Sequence, residues 1–168
     1  KNLLFDIKEI FISKKFLKKE VISFLIKENI QFKYFENINP KNLSKKLEKI
    51  DIAITGGFPI ILKKELISKP KYGFINCHAG ILPNYRGGSP LNWQIINNET
   101  HFGITVIKMN SKIDRGNIVA EKRFKLKARY DINDLHTIAN NNFPKLVQLS
   151  IYKILKGYKG TKQNKIKS

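Results

Sequence analysis

Thiols, arginine and acidic side chains are all scarce in this chain, and each scarcity removes a class of function. Cys77 is the only cysteine among 168 residues, so no internal disulfide can form and thiolates are too few for a structural zinc site. One cysteine also fits a reducing, cytoplasmic compartment. No apolar run approaches the ~20 residues of a membrane-spanning helix, and the first residues lack the three-part form of a signal peptide. A soluble protein with no membrane partner is the expectation. Glycine-rich phosphate loops are missing too: neither GxGxxG nor GxxxxGKS/T occurs, and Gly56-Gly57 and Gly87-Gly88 are too short to replace one.

Only 13 acidic residues face 32 lysines and arginines, a formal charge of +19. Clustered cations neutralise phosphates, which invites a nucleic-acid or anionic-substrate reading. Arginine is the better base reader and bidentate phosphate clamp, yet it occurs only at Arg86, Arg115, Arg123 and Arg129. The lysines are scattered among Ile and Asn, a pattern that general compositional drift produces without any selected surface. After Asp134 no acidic residue follows, while Lys145, Lys153, Lys156, Lys159, Lys162, Lys165 and Lys167 do. Residues 158–168 are therefore expected to form a basic, flexible tail.

What is present is a core. Hydrophobic residues make up 42% of the chain, enough for one domain with a real interior. Position 1 is Lys rather than Met, so the chain is expected to be processed, trimmed or internal to something longer. Residues Ile7 to Ser13 read as a strand, and Phe16, Leu17, Val21, Phe24 and Leu25 then recur at helical spacing. A strand at Phe32 to Phe35 precedes Asn39-Pro40, a cap followed by Pro at the first helical position, with Leu43 and Leu47 on the helix after it. The apolar run Ile50 to Thr55 suits a strand buried on both faces and ends at Gly56-Gly57. Tyr72 to His78 is another apolar strand. This alternation predicts a three-layer α/β sheet, mostly parallel, whose ligands sit beyond the carboxyl ends of its strands. Gly103 to Met109 and Ile118 to Leu126 then form a hairpin-like pair. Asp131 can cap a final helix, which Pro144 kinks or restarts before Gly157.

His78 falls where a strand gives way to the loop AGILPNYRGG, and Asn76, two residues earlier, points to the same side of an extended strand. An amide and an imidazole interrupting an apolar strand need polar partners. Asp114, in the glycine-flanked hairpin connection, can reach back to fix the tautomer of His78 and stabilise its protonated form. Considered singly, His78 reads as a hydrogen-bonded core histidine and Asp114 as a turn residue. His101 and His136 have no neighbour at metal-ligand spacing, so no metal is expected. Cys77 alternates to the opposite face and reads as a buried filler, and Trp93 as packing.

Taken together, Asn76-Cys77-His78-Ala79-Gly80-Ile81-Leu82-Pro83, then Tyr85-Arg86-Gly87, Ser89-Pro90-Leu91-Asn92-Trp93, Asn97-Asn98-Glu99-Thr100 and Asp114-Arg115-Gly116 resemble, in order, the signature of the folate-dependent formyltransferases. The resemblance runs from about Ile7 to Gly157 and implies a Rossmann-like formyltransferase fold, mostly parallel with a C-terminal antiparallel hairpin. It makes residues 1–157 a catalytic domain that lacks the family's first strand and loop. The implied co-substrate is 10-formyltetrahydrofolate, whose formyl carbon a neutral primary amine attacks. His78 would serve as general acid and base. Asn76 would donate to the developing oxyanion, a contact worth about 3 kcal/mol in comparable sites, and Asp114 would orient His78. Pro59, Ile60, Ile61, Leu62, Leu82 and Pro83 would edge the pterin pocket, with Asn110, Ser111, Lys112, Ile113 and Asp114 closing it.

Two positions depart from the family pattern: Gly80 stands where Ser is usual, and Gly88 where a small or basic residue is usual. The stretch Ser89 to Asn97 is closer to enzymes acting on nucleotide-linked 4-amino sugars, so a small-molecule sugar amine is the favoured acceptor. Methionyl-tRNA is the alternative, a homodimer is admitted, and a non-catalytic basic nucleic-acid-binding module on the same scaffold is a further alternative.

Overall fold

The computed structural model describes residues 6–14, 19–35, 40–58 and 60–164. Phe16, Leu17, the expected cap Asn39 and Pro59 lie outside the described residues. Helical spacing of Val21, Phe24 and Leu25 falls on α1 (Lys19–Lys27), which follows β1 (Ile10–Ile12); Leu25 is its buried residue, while Val21 and Phe24 are exposed. The strand β2 (Phe32–Tyr34) pairs parallel with β1. Next comes α2 (Pro40–Leu47), with Pro at its first position, where the missing N–H has no helical partner to lose.

The larger sheet has the order β3-β4-β5-β6, from β3 (Ala53–Gly56), β4 (Phe74–His78), β5 (His101–Lys108) and β6 (Asn117–Lys125). Within it β3 and β4 run parallel, β4 and β5 antiparallel, and β5 and β6 form the antiparallel hairpin. The α/β class and the C-terminal hairpin are those the sequence predicts. One strand differs in environment. Because β3 lies at an end of this sheet, Ile54 is about half exposed rather than buried on both faces.

Three further helices lie among the described residues: α3 (Lys64–Ile67), α4 (Pro90–Ile96) and α5 (Ile132–Leu155). Asp131 caps α5 by accepting from the Asp134 N–H while Asp134 returns the bond, a reciprocal capping box. The helix continues through Pro144 without restarting, and ends before Gly157, whose φ of 87° lies in the left-handed region a helix stop favours. No helix among the described residues is long and apolar enough to cross a membrane.

Two cores hold these layers. Ile75, Phe102, Ile104 and Val106 of the sheet pack with Leu91 of α4 and Leu135, Leu146 and Ile151 of α5. Each such fully buried side chain stabilises the fold by about 1.5–3 kcal/mol. The second core joins Leu43 and Leu47 of α2 to Ile67 and Phe74, with Phe11 of β1 and Phe35 packed against it. It ties the two-stranded sheet to the larger one.

Candidate functional site

Parallel register puts Thr55, near the end of β3, directly beside Asn76 on β4. The Thr55 hydroxyl donates to Asn76 Oδ1 at 2.9 Å, which turns the amide's NH2 away from β3. That NH2 reaches Asp114 Oδ1 at 3.4 Å. His78, at the carboxyl end of β4, is buried, and its Nδ1 lies 3.5 Å from Asp114 Oδ2. Its Nε2 lies 2.5 Å from the Tyr85 carbonyl oxygen. Both ring nitrogens thus face acceptors, and only a doubly protonated ring could donate to both at once.

Asp114 is the meeting point. It sits in the β5–β6 connection with φ of 48°, a left-handed conformation that Asp tolerates better than most residues. Besides accepting from Asn76 and lying 3.5 Å from His78 Nδ1, its carboxylate accepts from the Gly87 N–H at 2.9 Å. The connection is braced from within: Asn110 Nδ2 donates to the Arg115 carbonyl, and its Oδ1 accepts from the Lys112 N–H. So the structure brings together Asn76, His78 and Asp114, the three residues singled out by sequence.

The loop between β4 and α4 is held by side chains on both sides. Tyr85 donates its hydroxyl to Glu99 and accepts from Asn97 Nδ2 at 3.2 Å. Burial, then the Glu99 contact, raises the Tyr85 phenol above its ordinary range. Fully buried Gln94 accepts from the Gly103 N–H and donates to the Pro90 carbonyl. The Thr105 hydroxyl donates to the Gly80 carbonyl at 2.7 Å. At Gly80 a Cβ would stand 2.9 Å from both His78 Nε2 and the Tyr85 carbonyl oxygen, and 2.8 Å from Pro90 Cβ. A serine there would push directly on the His78–Tyr85 contact.

The remaining candidates are dispersed. Leu62 and Leu82 are buried, so their side chains belong to the core. Ile60, Ile61 and Ile113 are exposed, as are Asn110, Ser111 and Lys112, while Pro83 is partly covered. A cavity of about 380 Å3 lies at the amino end of β4, between Tyr72, Gly73, Met109 and Ser111. A second, of about 360 Å3, is lined by Arg86, Asn110, Ser111, Lys112, Arg115, Gln163 and Asn164. Neither is lined by Asn76, His78 or Asp114; Asn110 and Ser111 border both. The triad differs from both cavities in bringing an imidazole and a carboxylate within 3.5 Å of each other, with an amide beside them. His101 and His136 are exposed, and no metal-binding cluster occurs among the described residues. Burial pushes the Cys77 thiol up to about 11, in keeping with a filler.

Two expectations are corrected. Trp93 is 53% exposed, because α4 turns Leu91 and Gln94 inward instead. Residues 158–164 are not a loose tail: Ile118 and Thr161 exchange two backbone hydrogen bonds of 2.8 Å, and Asn117 Nδ2 donates to the Lys159 carbonyl. Sequence reasoning also missed Thr55, the Tyr85 carbonyl and the Gly87 N–H. A polar residue at the end of an apolar strand was the one available signal, and it applied only to Thr55.

Comparison with known proteins gives a consistent picture. A family described as formyl transferase matches residues 11–147. The methionyl-tRNA formyltransferase of Clostridium acetobutylicum is 36% identical over 149 residues, 86% of this chain and 47% of that protein. The protein of that name from Staphylococcus aureus is 38% identical over 87 residues, 52% of this chain and 28% of its own length. The chain thus spans about half or less of the curated relatives it matches. Among solved structures, phosphoribosylglycinamide formyltransferase from Bacillus halodurans shares the fold with a TM-score of 0.75 at 17% identity, covering 89% of this chain and 81% of that one. The formyltransferase PseJ from Anoxybacillus kamchatkensis, solved with a UDP-linked formamido sugar and tetrahydrofolate, gives 0.70 at 20% identity, covering 95% and 83%.

Proposed function

The chain belongs to the formyl transferase family, and from that premise we propose that it moves a formyl group from 10-formyltetrahydrofolate to a primary amine, using Asn76, His78 and Asp114. The observation that carries this reading is the convergence of the Asn76 amide and the His78 ring on the one carboxylate of Asp114. A structural turn aspartate has no need of that pair.

The donor supplies an activated formyl carbon attached to N10. When a neutral amine attacks it, the formyl oxygen gains negative charge, and the Asn76 NH2 is the donor suited to meet it. Thr55 holds the amide's oxygen, so the NH2 is aimed in advance, without reorganisation during the reaction. The attacking nitrogen must lose a proton, and N10 must gain one as its bond to the formyl carbon breaks. His78 is the group that can carry that proton, with Asp114 holding the ring through Nδ1. Because Nε2 also touches the Tyr85 carbonyl, this reading requires that contact to open when the amine arrives. Exposed Ile60 and Ile61 after β3, and Ile113 beside Asp114, offer apolar surface of the kind a flat pterin takes.

For the acceptor we take the amine of a methionyl group carried on tRNA, since the relatives matching at 36% and 38% identity carry that name. A nucleotide-linked 4-amino sugar is the second reading, supported by the stretch Ser89 to Asn97. The test is turnover of formyl-labelled 10-formyltetrahydrofolate with charged initiator tRNA and, separately, with nucleotide-linked amino sugars. Formyl-methionyl-tRNA is the expected product. Asn76→Ala should lower kcat by about 10²–10³, and His78→Ala should abolish turnover. If neither acceptor is formylated while RNA binding survives His78→Ala, the chain is a binding module and the catalytic reading is wrong.

A further inference from the structure

Gln163 uses its whole side chain on the reacting centre's surroundings. Its Nε2 donates to the carbonyl oxygens of Asp114 and Gly116, each at 2.7 Å. Its Oε1 accepts from Arg86 Nε at 3.0 Å and Arg86 Nη2 at 2.7 Å. Two donors and two acceptor sites exhaust what a glutamine amide offers. Only one orientation works, because a flipped amide would face Arg86 with its nitrogen and two carbonyls with its oxygen.

These bonds close a ring. Gln163 grips the Asp114 backbone on one side and Arg86 on the other; next to Arg86, the Gly87 N–H donates to the Asp114 carboxylate. Asp114 is therefore held by main chain and side chain together. A non-glycine residue at φ of 48° persists only where its surroundings over-determine it, and this ring does so. The anchor of the segment is separate: Thr161 pairs with Ile118 two residues earlier, so Gln163 can be altered without releasing the strap.

We propose that Gln163 is a positioning residue for the reacting centre, fixing the Asp114 turn against the Arg86–Gly87 segment so that the carboxylate stays aimed at Asn76 and His78. The kinetic part of this inference rests on the formyl-transfer reading; the structural part does not.

The test compares wild type, Gln163→Ala and Gln163→Glu in the full chain, reading amide exchange at Gly87 and Thr161 together with kcat and KM for formyl transfer. With Gln163→Ala, the Gly87 amide should exchange about tenfold faster or more and kcat should fall about tenfold or more, while KM and Thr161 protection hold. Gln163→Glu keeps a partner for Arg86 but cannot donate to the two carbonyls, so it should fail in the same way. A residue needed only to fasten the strap would be rescued by Glu. Unchanged Gly87 exchange, unchanged kcat, rescue by Glu, or loss of Thr161 protection in the alanine variant would each overturn the proposal. If the wild type transfers no formyl group, the functional reading fails, and Gly87 exchange alone decides whether the clamp exists.

Discussion

Thr55 and Asn76 face each other across the parallel β3–β4 pair, and the 2.9 Å bond between them determines which end of the amide points into the site. Thr55→Val keeps the shape and removes the donor. It should lower stability by about 1–2 kcal/mol in denaturant melts, because Asn76 Oδ1 loses its partner. It should also lower kcat about tenfold, since the NH2 is no longer aimed. Thr55→Ser should restore both; a valine variant with wild-type kcat would show that the amide is oriented by something else. Asn76, His78 and Asp114 were legible in sequence because period-two alternation places Asn76 with His78, and the motif order brings in Asp114. Thr55 was not. Its partner lies 21 residues away, and only the strand register reveals the pair. The Tyr85 carbonyl and Gly87 N–H are main-chain groups, which no residue type announces.

At the scale of elements, the strands and the longer helices are legible in sequence, and the two shortest helices are not. The β5–β6 hairpin and α5 were evident, whereas α3 and α4, of four and seven residues, hold too few turns for periodicity to show. The apolar run ending at Thr55 looked doubly buried because hydrophobicity cannot tell an end strand from a central one. Exposed Pro144 lies inside α5, where it lacks the N–H that would bond to the Asn140 carbonyl four residues earlier. Replacing it by Ala should restore that bond and raise stability by about 1–2 kcal/mol, less than the full helix-propensity difference because the unfolded chain gains freedom as well. Thermal melts of Pro144→Ala would check this. A lower midpoint would mean that the helix depends on the proline's local geometry.

Across the whole molecule the formal charge is +19, and Glu9 is a carboxylate that meets two of the cations, Lys33 and Lys46. Burial alone would raise its pKa, but hydrogen bonds and charge from Lys33 and Lys46 outweigh that and hold it below the usual 4.5. Those contacts, at 2.7 and 2.6 Å, join the strand pair β1–β2 to α2. Since the folded carboxyl is the stronger acid, its stabilisation is fully present above about pH 4.5 and is lost as pH falls through the folded value. Glu9→Gln should therefore lower the neutral melting temperature and flatten its decline on acidification; a decline as steep as that of wild type would assign the acid loss to other carboxylates. The strap ending in Gln163 has a temporal meaning as well. Chains are made from the amino end, so His78 and Asp114 leave the ribosome long before the residue that clamps them. A chain terminated between Asp114 and Gln163 would carry every reacting group and still lack their alignment.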